Sequence, residues 1–96
     1  MTIHERIVQA LGEGENNAVS LEDMCVITGL PNRETRLIIE DLRRRGAVIC
    51  SSNNGYFYPA DVLELRRYVQ KEQARSSSIS ENIEAAVRLL GEWEAE

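Results

Sequence analysis

The chain has 96 residues, 43% hydrophobic and 28% charged, with five aromatic side chains and a formal net charge of −5. This is the size of one small domain with little apolar surface left for a deep substrate pocket, which argues against an elaborate enzyme. No apolar run nears the roughly 18 residues of a membrane span, and the N-terminus, MTIHERIVQ, lacks an apolar signal core, so the expectation is a cytoplasmic protein with no membrane contact.

Taken in chain order, residues 2 to 12 place Ile3, Ile7, Val8 and Leu11 on one face of an amphipathic helix, which Gly12 and Gly14 end. Asn16 and Asn17 predict a turn, and Ala18 and Val19 a short strand. Ser20 opens SLED, a capping-box variant in which the hydroxyl accepts a free backbone N–H and Asp23 reaches back. A second helix should then carry Leu21, Met24, Cys25 and Ile27 inward and stop at Gly29. Leu30 is expected as an apolar plug in the turn, and Pro31 suits the start of a third helix because its missing N–H is no loss there.

In the third helix Thr35, Ile38, Ile39 and Leu42 should face the core, leaving Asn32, Arg33, Arg36 and Leu37 on the outer side of the first two turns. Arg33 and Arg36 lie one turn apart, and each has the planar fork that addresses a guanine edge. By charge alone a solvated Arg-rich face is the simpler reading. Arg43, Arg44 and Arg45 follow in the last turn, where they can complement the helix dipole or clamp a phosphate. The distribution of charge bears on the choice: residues 33 to 75 hold nine basic and six acidic groups, whereas residues 1 to 32 and 76 to 96 each hold one Arg against five acids. The positive charge is concentrated where the third helix lies.

Gly46 closes that helix. Residues 47 to 51 then alternate as a strand, SSNNG is a hairpin turn in which Asn54-Gly55 accepts positive φ, and Tyr56-Phe57-Tyr58 returns before Pro59 stops the pairing. Ser52, Asn53 and Asn54 form an uncharged tip suited to phosphate contact through amides and hydroxyls. The fold class expected is mainly α with a small β-hairpin. Helix, Gly stop and hairpin in succession are how a winged helix-turn-helix presents itself to DNA.

Three segments carry a resemblance: Thr28-Gly29-Leu30, Leu42-Arg43-Arg44-Arg45-Gly46, and Gly55-Tyr56-Phe57-Tyr58-Pro59. On them, residues 3 to 59 resemble the bacterial winged-helix domain found at the N-terminus of the biotin repressor and in many small regulators, some prophage-borne. The family usually has Ser in place of Pro31, which would pass the cap to Asn32. No biotin-ligase domain is present, so the resemblance implies no biotin chemistry. It implies a winged helix-turn-helix domain over 1–59, with 60–96 as a C-terminal helical segment.

In that segment Val62, Leu65 and Val69, then Ile79, Ile83, Ala86, Leu90 and Trp93, fit one a/d series if Glu72 and Ser76 form polar layers. The run ARSSSIS interrupts it, and Ser78 with Glu81 offers a fresh capping box, so a fourth helix over about 60–75 and a fifth over about 79–94 are expected. Ile79, Ile83, Ala86, Leu90 and Trp93 are the candidate dimerisation seam; the alternative is that the last helix folds back as plain core.

Catalytic and metal readings have nothing to stand on. His4 is expected to be solvated, Cys25 and Cys50 to be small core residues, and neither a metal-ligand spacing nor a phosphate loop is present in the sequence. The expectation is therefore a non-enzymatic regulator, of a bacterium or its prophage, that binds double-stranded DNA as a homodimer without a cofactor. Asn32, Arg33, Arg36 and Leu37 would read bases, with Arg43, Arg44, Arg45 and the hairpin tip on the backbone. The alternative is a protein-interaction or assembly module on the same scaffold, such as a phage replication or packaging adaptor. The initial Met and charged EWEAE end predict a complete chain over a fragment of a larger regulator.

Overall fold

The computed structural model describes residues 1–75 and 81–96. Thr2 opens the first helix, α1 (Ile3–Ala10): its hydroxyl accepts from Glu5 N–H at 3.1 Å and the Glu5 carboxylate accepts from Thr2 N–H, a reciprocal capping box. A single 3-10 turn at Glu15–Asn17 leads to α2 (Leu21–Thr28), capped by Ser20 and ended by Gly29 at φ 73. Pro31 occupies the cap position of α3 (Asn32–Arg44) without a side-chain bond, so the cap does not pass to Asn32. The turn between α2 and α3 is fixed less by Leu30 than by two buried hydroxyls. Thr28 and Thr35 Oγ1 lie 2.9 Å apart; Thr28 accepts from Leu30 N–H and Thr35 donates to Leu30 O. Buried hydroxyls with partners on every side set the crossing of two helices more tightly than an apolar contact does.

After Gly46, strands β1 (Cys50–Ser52) and β2 (Gly55–Phe57) pair antiparallel as a hairpin, with Cys50 opposite Phe57 and Ser52 opposite Gly55. Its turn is centred on Asn53 and Asn54 and differs from the expected form. Among the described residues only glycines take positive φ, so Asn54 does not; Gly55 supplies it at φ 123. Residues 47 to 49 run extended but unpaired, and the brace expected at residues 18 and 19 is a single bridge: Val19 and Tyr56 exchange two backbone bonds of 2.8 Å. Gly12 and Gly14 bond Tyr58 beyond it, so the outer edge of β2 is covered.

Side-chain alternation along this hairpin divides the core in two. Ile49 joins Ile7, Leu11, Met24, Ile39 and Leu42, with Ala47, Tyr56 and Tyr58 against them. Cys50 and Phe57 point the other way, into a cluster with Leu65, Tyr68, Val69, Ile83, Ala86 and Leu90. Helices α1 to α3 thus cover one face, and α4 (Val62–Arg75) and α5 (Glu84–Glu94) cover the other. Each fully buried aliphatic side chain contributes about 1.5–3 kcal/mol, so both clusters are substantial for a chain of this size. Arg66 in α4 pairs with Glu94 in α5 at 3.1 Å, which makes the two helices antiparallel neighbours.

The proposed dimerisation seam is consequently not an open stripe. Ile83, Ala86 and Leu90 are buried inside the chain's own second cluster because Cys50 and Phe57 offer them an apolar face to cover, and Trp93 packs at its margin, half-buried. Ile79, with Ser76 and Ser78, lies outside the described residues. α5 begins at Glu84, with Ile83 at its cap and no side-chain bond there. No helix among the described residues is long and apolar enough to cross a membrane.

Candidate nucleic-acid interface

The first two turns of α3 hold Thr35 and Ile39 against the core, so the helix period leaves Asn32, Arg33, Arg36 and Leu37 on the surface. Leu37 is 49% exposed, an apolar side chain between charged neighbours. Asn32 Oδ1 accepts the Cys25 S–H at 3.0 Å. Cys25 is therefore half-buried and linked to the surface of α3, not a core residue as its composition suggests.

Arg43, Arg44 and Arg45 do not form one basic clamp, because successive helix positions are about 100° apart and the three side chains meet three different surroundings. Arg43 turns inward. Its Nε donates to Ile49 O at 2.8 Å, and its guanidinium lies 5.3 Å from the Tyr68 ring centroid and 5.8 Å from that of Tyr56. It bolts α3 to the hairpin and to α4, and is withdrawn from any phosphate. Arg45 and Arg44 lie 3.0 and 3.8 Å from the Asp41 carboxylate, and Arg44 also reaches Asn82 Oδ1. The same carboxylate holds His4 Nε2 at 3.0 Å, so His4 joins α1 to α3 and is not merely solvated.

Arg36 and the hairpin tip come together. Arg36, Ser52, Asn53 and Asn54 line one groove of about 290 Å³, with Ser20 and Leu21 at the start of α2 on its far wall. The tip is partly occupied: Ser52 Oγ accepts from Asn54 N–H at 3.1 Å, and Asn54 Nδ2 donates to Glu15 at 3.3 Å. A carboxylate beside the tip disfavours phosphate there and shifts the anion-friendly part of the groove toward Arg36. Arg33 is exposed and is not among the residues that line this groove.

A second, polar groove of about 500 Å³ opens between α3, the hairpin, α4 and the residues before α5. Its wall includes Arg36, Arg43, Tyr68, Glu72 and Arg75. Tyr68 was absent from the apolar series read in α4, although Leu65, Tyr68 and Val69 have i, i+3, i+4 spacing and the signal was there. Burial pushes Tyr68 from 10.0 up to about 12, with the Arg43 charge opposing. Burial likewise pushes the Cys50 thiol from 9.0 up to about 12, again against Arg43. Tyr58 is raised by burial too.

These groups predict alkaline lability. Unfolded, Cys50 and Tyr68 release protons near 9.0 and 10.0, but folded they hold them to about 12. The folded state thus binds more protons in that interval. Its stability is full below about pH 9 and falls as pH rises toward 12, by on the order of a few kcal/mol. Urea titrations across that range should show the loss, and Cys50→Ala should reduce its slope; a flat profile in the wild-type chain would contradict it. Comparison with protein families, curated proteins and solved structures gave no match to this chain.

Proposed function

We propose that the chain is a sequence-specific binder of double-stranded DNA built as a winged helix-turn-helix, and that it regulates transcription in a bacterium or its prophage. One observation carries this reading: Arg36 on the outer face of α3 shares a groove with the hairpin tip, so a helix entering the major groove would bring both to the same duplex. Arg33 and Arg36 are the base readers, with Asn32 and Leu37 beside them. Backbone contact falls to Ser52, Asn53 and the capped start of α2, not to Arg43. Arg44 and Arg45 act through whatever positive potential Asp41 leaves them. As a dimer the protein would meet half-sites about 34 Å apart, one helical turn, and Trp93 is the member of the expected seam that keeps partial exposure.

The test is fluorescence anisotropy on a random duplex pool and its selected winners, from low to physiological salt. Arg36→Ala should lose about 1–3 kcal/mol at the base it reads and little on random DNA. Equal loss on every sequence would reduce Arg36 to a phosphate contact, and no enrichment from the pool would end the reading. A protein-interaction module is the second reading, favoured by the exposed apolar side chains Val26 (79%) and Leu37 on α2 and α3. Under it, Leu37→Ala would abolish partner capture and Arg33→Ala would not.

A further inference from the structure

The polar groove between α3, the hairpin and α4 contains an observation that DNA binding does not use. Arg43 Nη2 and Tyr68 Oη are both buried side-chain atoms without a hydrogen-bond partner among the described residues, and both residues line this groove. Tyr68 is only 3% exposed, and its hydroxyl is carried into the interior at the usual cost of an unsatisfied donor. Two such donors at one place mark a site that prefers to be filled with an acceptor.

The remaining wall limits what that acceptor belongs to. Arg36, Arg43 and Arg75 face Glu40 and Glu72 across the groove, leaving one positive charge in excess. A polyanion such as a nucleotide would meet two carboxylates and is disfavoured; a monoanion is matched. Glu40, Glu72, Ser51 and Asn82 supply acceptors and mixed donors, and the aliphatic side chains present are Ile39 and Ile83. The faces of Tyr56 and Tyr68 are already taken by the Arg43 guanidinium, so no ring face is left to stack an aromatic ligand on that side. The volume of about 500 Å³ suits a small organic molecule, not a lone inorganic ion.

We infer that this groove binds a small polyhydroxylated carboxylic acid of the sugar-acid class. The carboxylate takes the donors of Arg43 and Tyr68, and the hydroxyls donate to Glu40 and Glu72. Arg36 lines both this groove and the one beside the hairpin tip, so an occupant touches the side chain assigned to base reading.

The test uses the whole chain without DNA, which separates its failure from failure of the DNA reading. Backbone ¹H–¹⁵N shifts are followed while gluconate is added, with acetate as the carboxylate alone and glucose as the hydroxyls alone. Gluconate should give saturable shifts at Arg36, Arg43, Ser51, Tyr68 and Asn82, with acetate and glucose at least about tenfold weaker. Tyr68→Phe removes only the hydroxyl and keeps the packing, so the variant should fold and lose about tenfold or more in gluconate affinity. Absence of saturable shifts at these residues, an equal response to glucose or acetate, or an unchanged affinity in Tyr68→Phe would each overturn the assignment.

Discussion

Arg43→Ala is expected to lower the free energy of unfolding by about 2–4 kcal/mol, an unusually large effect for an arginine in a basic run. The change removes the 2.8 Å bond to Ile49 O and leaves that carbonyl, beside a buried residue, without its donor. An unpaired buried acceptor alone costs about 1–3 kcal/mol. The guanidinium also leaves the rings of Tyr56 and Tyr68, each contact contributing about 0.5–1 kcal/mol, and its stem leaves a void where α3 meets the hairpin. Arg45→Ala is the control from the same run: the side chain is 68% exposed and its pair with Asp41 is a surface one, so the change should stay within about 0.5 kcal/mol. Urea midpoints at constant m-value measure both. If Arg43→Ala kept wild-type stability and lost only DNA affinity, Arg43 would be a phosphate clamp after all.

Gly55→Ala should be as severe, about 3 kcal/mol or more, for two reasons that add. Gly55 sits at φ 123, where an L side chain is strained by roughly 1–2 kcal/mol. Its added methyl would also collide with the Val19 carbonyl and stand 2.8 Å from Ser20 N, at the bridge that braces the hairpin. Backbone atoms held by two 2.8 Å hydrogen bonds cannot yield cheaply. Gly46→Ala separates the two effects, because Gly46 has a similar φ of 108 but open space around it. It should cost only the conformational part, about 1 kcal/mol. Equal losses at the two positions, read from the same urea titrations, would show that the close approach at Val19 contributes nothing.

Much of the architecture was legible along the chain because it rests on local rules. Ser20 and Gly29 bracket α2, Gly46 ends α3, and Thr35, Ile39 and Leu42 mark the inner face of α3 by their spacing alone. The outer face followed by subtraction, which is why Asn32, Arg33, Arg36 and Leu37 were found where the periodicity put them. The alternation from Ala47 to Ser51 was also visible. What it left undecided was that both sides of the strand would be buried, since period two reports two faces but not what covers each.

The misread positions share a cause. Arg43 was grouped with Arg44 and Arg45 by adjacency in sequence, yet its surroundings are Ile49, Tyr56 and Tyr68, the last 25 positions away. His4 was read as solvated because its partner, Asp41, is 37 residues distant. Ile83, Ala86 and Leu90 form an apolar stripe in either case, and nothing in a stripe distinguishes a partner molecule from the chain's own hairpin. The sequence by itself determined the helices, their stops, the hairpin and the exposed face of α3, since these depend on hydrogen bonds and periodicities within a few residues. Tertiary structure alone decided which charges remained available and where two unpaired donors met, because desolvation and Coulomb energies depend on distance in space, to which adjacency along the chain is no guide.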